Sequence, residues 1–236
     1  MNAPFALHSF GDGYRALVIG ASGALGSAFC DWLREDRRCA GVRELGRHSS
    51  PALDLELPAS IAAAADALAK EAPYQLILHT AGLLHRDGVR PEKHLAAIEA
   101  EALQAVFQVN ALGPALVLRH FLPLLDPQGA MAVLSAKVGS IGDNRLGGWY
   151  AYRASKAALN MLVKTAAIEL ARSRPRARLL SLHPGTLISA LSQPFRGAVA
   201  ARPPRDAAQQ LLTLIDRLGP ADSGGFFAYD GVRLPW

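Results

Sequence analysis

Tyr152 and Lys156 are the side chains in this sequence best suited to acid–base chemistry. On a helix, a spacing of four residues places both on one face and nearly in contact. A tyrosine ordinarily loses its proton near ~10, and a neighbouring ammonium lowers that value. Tyr152 is therefore predicted to donate a proton to a carbonyl oxygen, or to take one from an alcohol. The alternative is a surface tyrosine that only packs along its helix.

Three spaced glycines, Gly20, Gly23 and Gly26, follow the first apolar run of the chain and open its first predicted helix. Glycines let the backbone turn tightly and approach a pyrophosphate, and the helix N-terminus attracts the anion. We assign dinucleotide binding to this turn, including Ser22 and Leu25. The alternative is an ordinary strand-to-helix turn.

The residues about 20 positions beyond Gly26 distinguish the two nicotinamide dinucleotides. A carboxylate there would bind the ribose hydroxyls of NAD, but the chain has Gly46 and Arg47. A guanidinium pairs with phosphate oxygens through two hydrogen bonds, so Arg47 favours NADP(H) over NAD(H). The alternative is that Arg47 is simply exposed, and Glu44, the nearest acid, weakens the case.

Apolar strand-like runs alternate with helical patterns along the whole chain. This alternation predicts an α/β fold with one Rossmann-type, doubly wound parallel sheet of about seven strands and helices on both faces. We expect a single domain over 1–236. The Pro-, Gly- and Arg-rich segment near 187–206 follows a strand end, where ligands dock, and is predicted to be the substrate loop. Strands are predicted at 16–20, 40–46, 75–79, 130–135, 177–182 and 225–229, and helices at 25–34, 58–70, 92–125, 151–172 and 207–218.

Composition disfavours several other classes of protein. The formal net charge of +5 is scattered along the chain, which does not favour nucleic-acid binding. No uninterrupted apolar run reaches the ~18 residues of a membrane span, and the first residues lack a signal peptide's pattern. Cys30 and Cys39 have no metal-ligand spacing, and no metal is expected. These observations favour a cytoplasmic protein that acts on small molecules.

Four further motifs occur in order: His79 to Gly82, Val109 to Ala111, Ser135 to Ser140, and Pro184 with Gly185. With these motifs, the glycine turn and the Tyr152–Lys156 pair, the chain resembles the short-chain dehydrogenase/reductase family from Ala16 to Trp236. The segment 139–156 and the ending 229–236 resemble its C-factor/Sniffer-like carbonyl reductase branch.

The resemblance implies a role for each matched residue. Tyr152 would be the acid/base, Lys156 would hold the nicotinamide ribose and lower the pKa of Tyr152, and Asn110 would position a water in the proton relay. The remaining matched positions would bind or border the cofactor: Gly20, Gly23 and Gly26 at the pyrophosphate, Asp54 and Leu55 at the adenine, Ala81 and Gly82 beside the cofactor, and Pro184, Gly185 and Thr186 at the nicotinamide amide.

The chain departs from the family pattern where the family places its serine, because that position here is Ala136. A hydroxyl is needed to hydrogen-bond the substrate oxygen as charge develops. We assign this task to Ser135 or Ser140, and a third alternative is that no serine performs it and activity is low. His79 also stands where the family usually has asparagine.

Two functional hypotheses follow. The first is an NADPH-dependent carbonyl reductase acting on small apolar aldehydes or ketones. The second is a cofactor-binding signalling or regulatory protein with little turnover. The predicted helices over 102–125 and 151–170 carry more apolar residues than one buried stripe requires. Family relatives pair through these helices, so we expect a homodimer or homotetramer.

Overall fold

The apolar runs form one parallel sheet, as predicted for a doubly wound α/β fold. The computed structural model describes residues 5–195 and 201–236. The strands of the described residues lie in the order β2-β1-β3-β4-β5-β6 and all pair in parallel. Their bounds are β1 Tyr14–Ile19, β2 Cys39–Leu45, β3 Tyr74–His79, β4 Leu125–Leu134, β5 Arg178–His183 and β6 Phe226–Ala228.

Helices cover both faces of the sheet. Their bounds are α1 Ala24–Glu35, α2 Pro58–Leu68, α3 Ala100–Phe107, α4 Gly113–Phe121, α5 Tyr150–Ser173 and α6 Pro204–Arg217. Helices α1 and α6 pack on one face, and α2, α4 and α5 pack on the other. The central strands are apolar along nearly their whole length because each face is buried under a helix layer.

The sheet has six strands among the described residues, rather than about seven. The chain passes from Leu45 at the end of β2 to Pro58 at the start of α2 in one loop. That loop is too short for another strand and its crossover, since a parallel crossover alone takes a dozen or more residues. Strand β2 is therefore an edge strand in the described part of the sheet.

The helical prediction over 92–125 began too early, because α3 begins at Ala100. The preceding residues form a loop with one 3-10 turn, Leu95–Ala97, and Glu92 in that loop accepts a hydrogen bond from the backbone N–H of Ala151. This contact ties the loop to the start of α5.

The stretch Ala100–Leu124 is long and apolar enough to span a membrane, a test that buried core helices also pass. Its Val117 and Phe121 are fully buried against the sheet.

The order of the strands opens a crevice beside β1. From β1 the chain first adds β2 on one side and then β3 on the other. The loops that leave the carboxyl ends of β1 and β3 therefore diverge, and open α/β sheets bind ligands at such a reversal.

Candidate active site

The glycine turn lies between β1 and α1, at the crevice. Gly20 has a positive φ of 87°, and a Cβ there would lie 2.7 Å from Oγ1 of Thr80. A Cβ on Gly26 would overlap the carbonyl oxygen of Gly20. Side chains are thus excluded at both positions, which lets α1 pack against the turn. Ser22 is exposed on the turn, whereas Leu25 is buried beneath it.

Arg47 is exposed immediately beyond the end of β2. Its neighbour Gly46 is near the glycine turn, since a Cβ on Gly46 would lie 3.8 Å from Oγ of Ser22. Glu44 forms an ion pair with Arg34 on α1. The acid that weakened the prediction for NADP(H) is therefore already paired with a cation.

Asp54 and Leu55 lie in the loop between β2 and α2. Oδ1 of Asp54 accepts the backbone N–H of Glu56 at 2.9 Å. The carbonyl of Leu55 accepts a hydrogen bond from Nε2 of Gln108 at 2.9 Å, and a Cβ on Gly113 would lie 2.7 Å from the Leu55 Cβ. This loop is therefore fixed against the helices that carry Asn110.

Tyr152 and Lys156 occupy the first two turns of α5. Nζ of Lys156 donates to the carbonyl of Leu134 at 3.0 Å and lies 5.9 Å from the centroid of the Tyr152 ring. Burial lowers the pKa of Lys156 to about 8 and raises the pKa of Tyr152 to about 12. The pKa of Tyr152 thus moves in the opposite direction to the lowering predicted from Lys156, because burial disfavours the charged phenolate. A neutral phenol beside an ammonium is suited to proton donation.

Asn110 lies fully buried in a π-helical turn, Gln108–Leu112, between α3 and α4. Its Oδ1 accepts the Leu83 N–H at 2.8 Å, and its Nδ2 donates to the Leu83 carbonyl at 2.7 Å and to Ser155 Oγ at 3.2 Å. A Cβ on Gly82 would lie 3.4 Å from both Asn110 Oδ1 and Lys156 Nζ. The loop after β3, which also holds Ala81, is thereby fixed beside Lys156.

The segment Pro184 to Thr186 leaves the carboxyl end of β5. Gly185 has a φ of 77°, and a Cβ there would lie 2.9 Å from the ring of Tyr229. Thr186 accepts the backbone N–H of Arg202 at 2.9 Å, and the Arg202 guanidinium lies 3.8 Å from the Tyr229 centroid. These contacts close the base of the predicted substrate loop, whose residues 196–200 lie outside the described residues.

Comparison with known proteins identifies the family. The family model described as "Enoyl-(Acyl carrier protein) reductase" matches residues 27–212. The chain belongs to the short-chain dehydrogenase/reductase family. Its members are oxidoreductases. The predicted family resemblance is confirmed. The predicted fold class is confirmed by the parallel sheet, which has six described strands rather than about seven.

Two curated relatives cover most of their own length in this match. A 1-hydroxy-2-glutathionyl-2-methyl-3-butene dehydrogenase from Rhodococcus sp. (strain AD45) is 33% identical over 198 residues, which is 84% of this chain and 84% of the relative. The C-signal protein of Myxococcus xanthus is 38% identical over 146 residues, covering 60% of this chain and 83% of the relative.

Solved structures of family members share the fold. The carbonyl reductase Sniffer of D. melanogaster superposes with a TM-score of 0.81 at 23% identity, over 95% of this chain and 100% of that chain. An NADPH-bound carbonyl reductase from chicken fatty liver superposes with a TM-score of 0.81 at 22% identity, over the same shares.

The two serines assigned to the family's hydroxyl have different surroundings here. Oγ of Ser140 accepts the backbone N–H of Asp143 at 3.1 Å, as a turn-capping serine does. Ser135 is 5% exposed, and its buried Oγ has no hydrogen-bond partner among the described residues. Between them, Ala136 is half-buried. Of these three positions, 136 is the most exposed to solvent, and its side chain is only a methyl group.

Several buried polar side chains lie on or under α5, the helix that carries Tyr152 and Lys156. Three of them stand two residues after Ile77, Val133 and Leu179, which pack into the layer of α2, α4 and α5, and so face the same side of the sheet. Burial and the nearby Lys156 lower the pKa of His79 to about 3. The side chains with a buried polar atom that lacks a partner among the described residues include His79, Ser135, Asn160 and Ser181.

Replacing His79 should make the protein more tolerant of acid. Unfolded histidine binds a proton near its ordinary pKa of ~6.5, whereas buried His79 does not. The unfolded state thus binds more protons below pH ~6.5, so His79 should cost about 2 kcal/mol of stability near pH 5. We expect urea unfolding of His79→Asn to lose less stability between pH ~7 and ~5 than the unmutated protein.

The matched control is His48→Asn, because His48 is exposed. It should leave the pH dependence of unfolding as it was. If His79→Asn and His48→Asn show the same slope, His79 is not the group that binds the proton on unfolding.

Three residues that position the start of α5 and Asn110 were not predicted from the sequence. Glu92 is buried and accepts N–H groups at the start of α5, and Ser155 accepts a bond from Asn110. Trp149 has a φ of 54°, the one positive φ of a non-glycine residue among those described. Such a conformation costs about 1–3 kcal/mol. The adjacent Gly147 and Gly148 were the available signal, since both also adopt positive φ.

Proposed function

We propose that this protein is an NADPH-dependent carbonyl reductase, in which Tyr152 protonates the substrate oxygen. The observation that carries this proposal is the placement of Tyr152 and Lys156 at the carboxyl edge of the sheet, beside Gly82 and Asn110. A carbonyl that accepts hydride becomes an alkoxide and must gain a proton. The Tyr152 hydroxyl is the proposed source of that proton.

The residues around the glycine turn fit a phosphorylated dinucleotide. The side-chain-free cradle at Gly20 and Gly26 would hold a pyrophosphate at the start of α1. Arg47 would pair with a 2′-phosphate, and Asp54 would meet the adenine. Pro184, Gly185 and Thr186 would border the nicotinamide amide. The NADPH named for the chicken carbonyl reductase supports this choice of cofactor.

The chemistry divides between the cofactor and this chain. NADPH, when bound, supplies the hydride that the carbonyl carbon accepts. Tyr152 donates its proton to the carbonyl oxygen, and the Lys156 ammonium stabilises the phenolate that remains. Asn110 holds the loop after β3 against Lys156. In the reverse direction, the same phenolate would take the proton of an alcohol.

A second candidate is a cofactor-binding signalling or regulatory protein with little turnover. Two observations favour it: the similarity to the C-signal protein and the methyl group of Ala136 at the family's serine position. The two candidates share the cofactor site but differ in turnover.

Turnover separates these candidates. Purified protein is mixed with NADPH and a panel of small aldehydes and ketones, and oxidation of NADPH is followed by absorbance while alcohols are identified by mass spectrometry. We expect carbonyl-dependent oxidation with stoichiometric alcohol. Binding of NADPH without turnover on any carbonyl, or of NADP⁺ on any alcohol, would support the regulatory protein instead.

The preference for NADPH over NADH should depend on Arg47. A charge-assisted pair with the 2′-phosphate is worth about 1–3 kcal/mol, or roughly a 5- to 150-fold difference in Kd. Arg47→Ala should remove most of that difference, measured by titrating cofactor fluorescence. Arg43→Ala is the matched control, because Arg43 lies on the adjoining strand β2 and its guanidinium pairs with Glu71. Equal affinities for both cofactors in the unmutated protein would exclude this role.

We also propose a homodimer or homotetramer built on α4 and α5. Three large apolar side chains on or next to these helices are exposed: Leu112, Met161 and Ile168. Burying such residues between two copies would stabilise the pair.

We also propose a cytoplasmic location. The two cysteines are free thiols, which fits that location.

A further inference from the structure

Aromatic rings from three separate segments meet beside Tyr152. His85 follows β3, Trp149 directly precedes α5, and Phe195 lies in the loop after β5. The centroid of the Phe195 ring lies 5.1 Å from His85 and 5.7 Å from Trp149, and Trp149 lies 6.2 Å from Tyr152. All three pairs are edge-to-face, a favourable aromatic arrangement. The rings therefore form a continuous row that ends at the proposed proton donor.

The backbone at Trp149 is strained. Its φ of 54° and ψ of 45° are left-handed, a conformation that glycine adopts without strain. The preceding Gly147 and Gly148 show that this turn readily accommodates glycine. The strained turn is held by Glu92, whose carbonyl accepts the Trp149 N–H and whose carboxylate accepts the Ala151 N–H.

The row of rings is not part of the hydrophobic core. His85, Trp149 and Phe195 are each half-buried, so part of each ring is open to solvent. Nε2 of His85 lies 3.2 Å from the carbonyl of Ala190, which links the row to the substrate loop. Partly exposed aromatic side chains beside a reactive group are suited to bind an apolar ligand.

We propose that Trp149 determines substrate specificity and that, with Phe195 and His85, it binds the ring of an aryl aldehyde or aryl ketone next to Tyr152. This inference rests on the proposed carbonyl reductase activity. An aryl ring placed against this row would add an edge-to-face or stacked contact, while its carbonyl group extends toward the Tyr152 hydroxyl. A small aliphatic carbonyl has no ring to make that contact.

The kinetic test compares benzaldehyde with propanal in Trp149→Gly. Glycine removes the ring and relieves the left-handed backbone, so the thermal midpoint should stay level or rise. The ratio of kcat/KM for benzaldehyde to that for propanal should fall roughly 2- to 12-fold, mainly through KM, as expected for the loss of one aromatic contact. Trp32→Phe is the control, because Trp32 packs on Phe5 and on Arg205 of α6, in the helix layer on the opposite face of the sheet from α5. An unchanged ratio would overturn the proposal.

A binding test keeps this inference separate from the proposed activity. Benzamide, an unreactive aryl ligand, is titrated into protein saturated with NADP⁺ while tryptophan fluorescence is recorded. We expect saturable quenching that persists in Trp32→Phe and needs a clearly higher benzamide concentration in Phe195→Ala, which removes a ring that contacts Trp149 but keeps Trp149 as the fluorophore. If the protein reduces no carbonyl but this quenching is seen, the proposed reductase activity fails and the aryl site stands. Quenching that survives in Trp149→Gly would overturn the aryl site.

Discussion

Tyr152→Phe should lower turnover by about 10²–10⁴, the usual contribution of a positioned acid. The substitution removes only the hydroxyl and keeps the ring that contacts Trp149. The alkoxide formed by hydride transfer would then lack its proton donor. We expect the thermal midpoint and the Kd for NADPH to change little, because the hydroxyl lies in neither the core nor the glycine turn. The measurement is steady-state oxidation of NADPH with the best carbonyl of the panel.

The matched control is Tyr150→Phe, since Tyr150 begins the same helix and is exposed. It should keep full turnover. Lys156→Ala should lose turnover and also weaken NADPH binding, because Lys156 is expected to hold the ribose. Full activity in Tyr152→Phe would exclude the whole mechanism proposed here.

Ala136→Ser should raise kcat, by up to ~10²-fold, the scale of a single donor to a developing oxyanion. Ala136 is half-buried, whereas the hydroxyl of Ser135 is buried and that of Ser140 accepts the Asp143 N–H. A hydroxyl at 136 would supply the second donor that this family normally places there. The change should be seen in kcat with little change in the Kd for NADPH.

Two serine variants test whether Ser135 or Ser140 already donates to the substrate oxygen. Ser135→Ala and Ser140→Ala should keep turnover within about two-fold if neither hydroxyl touches the substrate. A loss of ~10²–10³ in Ser135→Ala, together with an unchanged rate in Ala136→Ser, would assign the donor to Ser135.

Periodicity and glycine spacing predicted the layers of the fold and the position of the glycine turn. These features depend on short-range rules, such as the continuous apolar run of a parallel strand or the side-chain-free positions at Gly20 and Gly26. The pattern did not predict that α3 starts at Ala100. The apolar residues before it form only one 3-10 turn, Leu95–Ala97, and Glu92 ahead of that turn contacts the start of α5 instead of continuing a helix.

The site was less predictable than the fold where a side chain's role depends on its partners. The sequence contains both Ser135 and Ser140, but only three-dimensional contacts show that one is buried without a partner and the other accepts a turn N–H. The same holds for Trp149, because the left-handed turn that turns its ring toward Tyr152 depends on Glu92, far away in sequence. The assignment of the serine stays a prediction.

The edge position of β2 has a consequence for how this protein could evolve. The loop that carries Arg47 closes on itself, since the Gly46 carbonyl accepts the Leu53 N–H at 2.9 Å and the Gly46 N–H donates to Ser49 Oγ at 2.9 Å. No further described strand flanks it. Substitutions at its exposed positions, Arg47 and His48, should therefore alter the proposed choice between the two dinucleotides without repacking the buried Leu53 and Leu55. Cofactor preference and substrate preference can therefore change independently during evolution. A descendant of this protein could exchange NADPH for NADH while keeping its substrate.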